Sequence, residues 1–398
     1  MRISSRMPRL IFQSKDQPSD DQWHSIVISV LRGLAAFVVA AAHLRAEMYP
    51  GLRTLAEPAL WFQAFAFFTG FAHQAVLVFF VISGWLVGGS LLNKITQPGA
   101  IGSYAIDRLT RLWAVLIPAF SLTLLFGLVT GVVDPGVVDA SPANEFSATS
   151  FAGNLFGLQG IVLDDFGGNY ALWSLANETW YYVMFPLLVL LFTARRPASR
   201  LVSGAVLALA IALLPANITL YFLIWLLGVA FSRIRIDCSA GLRWAWLVPL
   251  AVTSTYFRLT ADNDKFDQTT LGMDLLLSLM FLALLSSLQF KAAATSALAR
   301  PLAKAGQFFA DFSFSLYVLH LPLIFLLQHL ALSELGIRQL SPDEPLHFVM
   351  YLGMLSVLLL GSYLSSLLFE SQTYRLRRTL KTLVARRVAP LSTVAAKR

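Results

Sequence analysis

Two ionisable side chains, Arg32 and His43, lie within the apolar stretch that runs from Ile26 to Arg45, and their types and spacing could serve chemistry. Arg32 lies within the stretch and His43 lies near its far end. A charged arginine inside a membrane span costs at least about 2.5 to 3.5 kcal/mol, so it is rarely found there without a partner or a role. On a helix, eleven residues make close to three turns and a rise of roughly 16 Å, so both side chains face one side at different depths. Because histidine can accept a proton near neutral pH, the pair indicates a candidate reaction site.

The composition indicates a membrane protein. Of the 398 residues, 57% are hydrophobic and 13% are charged, and the mean hydropathy is +0.67. Soluble globular proteins average about 25% charged residues. The single cysteine, Cys238, excludes an intrachain disulfide and gives no information on the redox compartment. A chain of this length and composition has room for many membrane spans and for little else.

Ten apolar runs predict an all-α integral membrane protein, a bundle of about ten transmembrane helices. The expected spans are residues 25–44, 74–93, 112–133, 173–192, 200–215, 217–232, 243–257, 271–289, 312–331 and 347–369. The shorter apolar run from Trp61 to Phe71 is expected to form an interfacial or re-entrant helix. The predicted organisation is a disordered cytoplasmic tail at 1–24, one transmembrane domain at 25–370 and a basic cytoplasmic tail at 371–398.

The distribution of positive charge predicts the orientation of these helices. With both termini in the cytoplasm, 24 of the 30 lysines and arginines lie on the cytoplasmic side and five lie in outer loops. Such an excess is the usual mark of cytoplasmic segments. The long outer loop from Asp134 to Tyr170 contains five acidic residues and neither lysine nor arginine. Because this asymmetry accounts for the net charge of +8, we expect no nucleic-acid partner.

The same orientation assigns a depth to each polar residue. The first span runs outward, which puts Arg32 near the middle of the membrane and His43 near its outer face. The fourth span runs inward from about Trp173, so Glu178 lies about 8 Å below the outer face, at a depth similar to that of His43. Arg108 lies at the cytoplasmic mouth of the third span.

Four further segments follow the Arg32–His43 spacing along the chain. They are Phe79–Leu86 (FFVISGWL), Tyr104–Trp113 (YAIDRLTRLW), Trp173–Tyr182 (WSLANETWYY) and Ser313–Pro322 (SFSLYVLHLP). Taken together and in this order, the five motifs resemble those of the membrane-bound acyltransferase family 3. Ala114 stands where that family has proline and Trp85 where it has phenylalanine, and neither departure removes a functional side chain.

The resemblance implies an integral membrane O-acyltransferase of bacterial surface polysaccharides, located in the bacterial cytoplasmic (inner) membrane. The implied donor is acyl-CoA, most often acetyl-CoA, and the acceptor is a hydroxyl of an extracytoplasmic or lipid-linked saccharide. Exopolysaccharide or O-antigen units are the acceptors expected for a chain without an appended domain. Succinyl is an alternative to acetyl, because a cation such as Arg32 could hold its second carboxylate. Membrane lipid is the expected surrounding, and no metal is expected.

Acyl transfer to a hydroxyl assigns roles to the polar residues. His43 is the expected general base that takes the proton of the acceptor hydroxyl, with Glu178 holding or polarising it. A transiently acylated His43 remains an alternative. Arg32 could bind phosphate, polarise the thioester carbonyl or stabilise the oxyanion. Arg108 and Arg111, three residues apart on one helical face, are expected to bind the phosphates of the donor.

Other interpretations of these residues stay open at this point. His320, Tyr181 and Tyr317 are candidates for the lining of a substrate cavity. Glu178 could instead be a structural partner of Arg32, a buried pair retained for assembly. Intramembrane arginine, histidine and glutamate also suit a secondary transporter or flippase of a saccharide or lipid intermediate. The sequence has neither internal repeats nor matching pairs of broken spans, which favours the acyltransferase.

Overall fold

The computed structural model describes residues 7–15, 22–134, 139–261, 265–292 and 298–395, with side chains described as far as residue 384. It is 76% helical. The α-helices of these residues are α1 (Trp23–Met48), α2 (Leu60–Phe68), α3 (Ala72–Ser83), α4 (Gly89–Lys94), α5 (Ala100–Val129), α6 (Ala148–Leu155), α7 (Trp173–Thr193), α8 (Pro197–Leu213), α9 (Ala216–Phe231), α10 (Ala240–Thr260), α11 (Leu271–Ser287), α12 (Ala299–Asp311), α13 (Ser313–Leu335), α14 (Pro345–Leu368) and α15 (Thr373–Ala395). A π-helical segment, Gly84–Gly88, joins α3 to α4.

Each of the ten predicted spans coincides with a helix, but the number of membrane crossings is not confirmed. Six helical segments of the described residues are long and apolar enough to cross a membrane: Trp23–Thr54, Leu60–Lys94, Ala100–Val129, Tyr170–Thr193, Ser313–Leu335 and Pro345–Val384. The apolar helices α8, α9 and α11 have only 16 or 17 residues. A straight crossing of the hydrocarbon layer needs about 20 residues, so length separates these three from the six.

The amino-terminal segment, expected to be disordered, contains an ordered strand. Residues Arg9–Phe12 form β1, which pairs antiparallel with β2, Ile234–Asp237, between α9 and α10. The backbone hydrogen bonds between β1 and β2 order residues for which hydropathy alone predicts no secondary structure. The prediction of a disordered tail is therefore wrong for β1. Residues 1–6 and 16–21 of that predicted tail lie outside the described residues.

The basic carboxyl-terminal segment forms helix α15, which packs against α5. Lys381 Nζ lies 2.6 Å from Oδ1 of Asp107, and Arg377 Nε lies 3.3 Å from the same oxygen. These two cations are four residues apart, so they lie on one face of the helix. The predicted cytoplasmic tail is thus attached to the transmembrane domain by ion pairs along its first turns.

Helix α1 packs against α3, α12, α13 and α14. Its alanines at 35, 36 and 40 are buried, and small side chains allow neighbouring membrane helices to approach closely. Tyr351 of α14 donates a hydrogen bond of 2.9 Å to the carbonyl oxygen of Ala41. The surroundings of α1 therefore hold Arg32 and His43 against other helices of the bundle.

The loop before α7 is held by its own side chains. Asn154 of α6 accepts a hydrogen bond from the backbone nitrogen of Phe166 and donates one to the carbonyl oxygen of Asp164. Phe166 is buried against Phe120 and Phe151. The carboxylate of Asp165, between these anchored residues, has a buried oxygen without a hydrogen-bond partner in the described chain. Burial, with the charges of Asp164 and Glu145, raises the pKa of Asp165 to about 6.

A raised carboxyl pKa predicts a pH-dependent cost to stability. The folded chain binds the Asp165 proton up to about pH 6, whereas the unfolded chain releases it near pH 3.8, so stability falls as pH rises between these values. We expect Asp165→Asn to raise the free energy of unfolding at pH 7.5 by about 1–2 kcal/mol and to have little effect at pH 4. Thermal unfolding in detergent at both pH values checks this, with the exposed Glu57→Gln as control. Equal shifts at the two pH values would contradict it.

Candidate active site

A cavity of about 720 Å³ lies between α1, α3, α5, α7 and α12–α15. Its walls combine apolar and aromatic side chains with an unusual number of charges. The charged residues that line it are Arg32, Arg108, Arg111, Glu178, Asp311, Glu370 and Arg377. A concave site of this size with a few convergent polar groups is typical of small-molecule and cofactor sites. Three of the five residues predicted for catalysis and donor binding, Arg32, Arg108 and Arg111, are arginines of this wall.

Arg111 is held by a carboxylate that the sequence did not single out. Its Nη1 lies 2.8 Å from Oε1 of Glu370, just after α14. The other carboxylate oxygen of Glu370 accepts hydrogen bonds from the backbone nitrogen and hydroxyl of Ser315, at 3.1 and 2.7 Å. Glu370 therefore has two roles. One carboxylate oxygen accepts from a backbone amide at the start of α13 that has no partner within the helix, and the other orients Arg111. No sequence signal distinguished this glutamate from other polar residues at the end of a span.

Arg32 and Arg108 have no ion pair within 4 Å among the described residues. Arg108 instead faces the rings of Tyr104 and Tyr182, with its Cζ 5.9 and 5.7 Å from their centroids. Arg32 experiences more distant charges, those of Arg111, Glu370, Glu178 and Asp311. A half-buried guanidinium without a carboxylate partner is costly to desolvate, unless a ligand supplies the missing charge. The cavity is therefore suited to an anionic molecule.

Glu178 contacts residues other than the predicted one. Its Oε1 accepts a hydrogen bond of 2.5 Å from Tyr182 and another from the hydroxyl of Ser83. Ser83 in turn accepts a bond of 3.1 Å from the indole of Trp225. Equal depth in the membrane had suggested that Glu178 holds His43, but similar depth on two helices does not make them neighbours. Glu178 belongs to the cavity wall, and the partner of His43 is a different residue.

That partner is His320 of α13. Nδ1 of His43 lies 2.8 Å from Nε2 of His320, and the two rings stack with their centroids 5.1 Å apart. The edge of Tyr170 covers His43 at 5.3 Å, and the Tyr170 hydroxyl donates to Glu47 at 2.9 Å. The sequence had placed His320 in a substrate cavity, without a partner. The structure brings it together with His43 across 277 positions of the chain.

The surroundings of His320 fix which nitrogen of His43 is basic. Nδ1 of His320 faces two carbonyl oxygens, of Tyr317 at 2.7 Å and Leu316 at 3.2 Å. Carbonyl oxygens only accept, so this Nδ1 carries a proton and Nε2 of neutral His320 carries a lone pair. His43 must then donate from Nδ1, which leaves its own Nε2 with the lone pair. A base oriented through its second nitrogen is the arrangement used in hydrolytic triads.

The two tyrosines predicted for the cavity lie in different environments. Tyr317 lines the cavity, contacts the ring of Phe79, and bonds through its hydroxyl to Ser174 and to the carbonyl oxygen of Ala171. It also precedes His320 by one helical turn, so α13 leads directly from the cavity to the histidine pair. Tyr181 is fully buried among aromatic rings and is not one of the described residues that line the cavity.

The polar side chains of the cavity wall are mostly arginines and hydroxyl groups, with three carboxylates. The described residues contain no cluster of three or more histidine, cysteine, aspartate or glutamate side chains that could hold an ion. The arrangement offers a positively charged cavity, a histidine pair one helical turn beyond Tyr317 of the cavity wall, and hydroxyl groups between them. This combination fits binding of an anionic donor and proton transfer by His43.

A family model described as an acyltransferase domain matches residues 26–371. The chain belongs to acyltransferase family 3. The matched region covers both the cavity wall from Arg32 to Glu370 and the histidine pair, and it agrees with the family that the five motifs resemble. The protein is therefore a multi-pass membrane acyltransferase. No curated protein and no solved structure matches this chain.

Proposed function

We propose that this acyltransferase moves an acyl group, acetyl in the first instance, from cytoplasmic acyl-CoA to a hydroxyl of an extracytoplasmic or lipid-linked saccharide. An exopolysaccharide or O-antigen unit is the proposed acceptor, and a bacterial inner membrane the proposed location. The observation that supports this most is the cavity, which joins Arg32 and Arg108, without an ion pair among the described residues, to a helix leading to the His43–His320 pair. Acyl-CoA combines multiple phosphates with a long, thin arm that ends in the thioester.

The donor fits the cavity in one direction. Arg108 and Arg111 lie in the amino-terminal half of α5, on the proposed cytoplasmic side, and suit the phosphates. The arm then extends past Arg32 and Glu178 towards Tyr317, at the end that approaches the histidines. The thioester carbonyl would there lie beside the hydroxyl groups of Tyr317 and Ser174, and one of them could turn from its present bond to donate to the oxygen that becomes negative during transfer.

The proposed reaction needs one base and returns its proton. Nε2 of His43 removes the proton of the acceptor hydroxyl as that oxygen attacks the thioester carbonyl carbon. The carbon–sulfur bond breaks, the acyl group stays on the acceptor oxygen, and the CoA thiolate takes the proton from His43. His320 holds His43 in the required tautomer throughout, in the way a third residue orients a catalytic histidine.

Succinyl is a second candidate for the transferred group. Arg32 lines the cavity and has no ion pair among the described residues, so it could hold the free carboxylate of a succinyl thioester. This alternative changes the donor and leaves the acceptor, the base and the direction of transfer as proposed.

The deciding experiment compares surface polysaccharide from cells with the gene deleted and from cells complemented with the wild-type gene. We expect mass spectrometry to show an ester-linked acyl group that is lost on deletion and restored by complementation, and its mass identifies acetyl or succinyl. An unchanged acylation pattern would reject the saccharide acceptor. Loss of the entire polymer would instead favour the transporter or flippase interpretation.

Donor binding can be tested at Arg108, because its removal breaks no ion pair within the part of the chain that the structure describes. We expect Arg108→Ala to weaken binding of acetyl-CoA by about tenfold to a hundredfold, the usual effect of losing a hydrogen bond to a charged group. The unfolding temperature should change little. Calorimetric titration of purified protein in nanodiscs of neutral lipid measures this, with Arg300→Ala, an exposed arginine of α12, as the matched control. Equal affinity in both variants would argue against phosphate binding by Arg108.

A further inference from the structure

Helix α15 contributes a cation to the cavity from outside the family-matched region. The match ends at residue 371 and α15 begins at Thr373. Arg377 of this helix lines the cavity beside Arg108 and Arg111. Its side chain is 29% exposed, against the fully solvated position expected for a basic tail. The sequence could not single it out, because it stands in a run with many other cations.

Asp107 orients Arg377 but offsets its charge only in part, because the same carboxylate also pairs with Lys381. Its Nε lies 3.3 Å from Oδ1 of Asp107 but makes no hydrogen bond there, so the guanidinium keeps its donors for another acceptor. The same carboxylate oxygen lies 2.6 Å from Nζ of Lys381. A single acidic group thus positions two cations on one face of α15, which lowers the loss of side-chain entropy on binding a ligand.

The inner end of the cavity has an excess of positive charge. Arg108, Arg111 and Arg377 line the cavity and Lys381 lies beside it against Asp107, so four cations are opposed by three carboxylates, those of Asp107, Asp311 and Glu370. The positive charges of Arg108 and Arg111 repel that of Arg377. Like charges brought together in partly buried surroundings are unfavourable, and an anion of more than one charge would offset the repulsion.

We propose that Arg377 and Lys381 bind the phosphate monoester on the ribose of the donor CoA, while Arg108 and Arg111 bind its diphosphate. This assignment rests on the proposed function. In CoA the ribose phosphate is at the end remote from the thioester, and it carries up to two negative charges. With the arm directed along α13 towards the histidines, that phosphate remains at the mouth of the cavity, where α15 crosses α5.

A phosphate at this position could come from another source. The headgroup of an anionic lipid presents the same chemistry at the cytoplasmic surface, and a basic helix there is a common lipid contact. The two sources differ in what displaces them. A lipid site would fill when anionic lipid is supplied, whereas the donor site would discriminate between CoA molecules with and without the ribose phosphate.

The experiment measures dissociation constants of CoA and 3′-dephospho-CoA for the purified full chain in nanodiscs of phosphatidylcholine. We expect the wild type to bind CoA about tenfold to a hundredfold more tightly than 3′-dephospho-CoA. In Arg377→Ala the ratio of the two dissociation constants should fall close to one, because only the binding of CoA becomes weaker. Unchanged affinity for 3′-dephospho-CoA then shows that the variant is folded. Arg378→Ala, the exposed neighbour on the same helix, should keep the preference.

Each other result has a distinct meaning. A wild type with equal affinity for the two molecules, or an Arg377→Ala that weakens both alike, would overturn the assignment of the ribose phosphate and leave the proposed donor intact. Loss of the preference when phosphatidylglycerol replaces part of the phosphatidylcholine would overturn it in favour of a lipid headgroup. A wild type that binds neither molecule would reject CoA as the donor, and the proposed function with it.

Discussion

Replacing His43 with alanine is expected to lower the rate of acyl transfer by about a hundredfold to ten-thousandfold. The reason is the single basic nitrogen: His320 occupies Nδ1 of His43, and only Nε2 is left to take the proton of the acceptor. Without that base, the acceptor hydroxyl must attack in its protonated, weakly nucleophilic form. The rate of ester formation, followed by mass spectrometry of the acceptor in complemented deletion cells, measures the loss.

The affinity for the donor provides a control for His43→Ala. His43 is not one of the described residues lining the cavity, so His43→Ala should bind acetyl-CoA with the affinity of the wild type. His329→Ala, which changes an exposed histidine on α13, should keep both activity and donor affinity. Wild-type transfer by His43→Ala would contradict the role of base. A large loss of donor affinity would point to disruption of the cavity.

The spacing of Arg32 and His43 could be interpreted from the sequence because both lie on one helix. Within a helix, rise and angle per residue are fixed, so depth and face follow from residue numbers. The same rules located Arg108 beside Arg111, and the apolar runs located the helices. Crossing a membrane depends on length as well, and α8, α9 and α11 are shorter than the about 20 residues of a straight span. The helices are therefore confirmed, whereas the number of crossings stays a prediction.

Contacts between helices could not be predicted in this way. Glu178 and His43 were assigned similar depths, yet the side chain of Glu178 is bound by Ser83 and Tyr182. The choice between His320 and Glu178 depends on which helix packs beside α1, and that is set by packing over whole helix faces. Arg377 was hidden for another reason. Positive charge after a last span predicts the cytoplasmic side equally well for every cation in the run.

The cavity also depends on a close contact of two glycines that apolar patterns do not reveal. A Cβ atom on Gly84, the first residue of the π-helical segment, would lie 2.0 Å from the carbonyl oxygen of Trp225. A Cβ on Gly228 would lie 2.1 Å from the carbonyl oxygen of Val81. Both obstacles are backbone atoms, which cannot rotate away as a side chain can. The segments can therefore pack at this distance only with glycine at the crossing.

We accordingly expect Gly84→Ala to lower the free energy of unfolding by about 3 kcal/mol, since the two backbones must separate. Separation would also pull Trp225 from Ser83, whose hydroxyl bonds to Glu178 in the cavity wall, so donor affinity should fall together with stability. Thermal unfolding in detergent, compared with Gly353→Ala, measures the effect. Position 353 lies within α14 with no atom within 4 Å of an added Cβ, and there alanine should stabilise by about 0.5–1 kcal/mol. Equal unfolding temperatures for the two variants would show that α3 and α9 can move apart at little cost. The contact between Trp225 and Ser83 would then not depend on the close approach of these two helices.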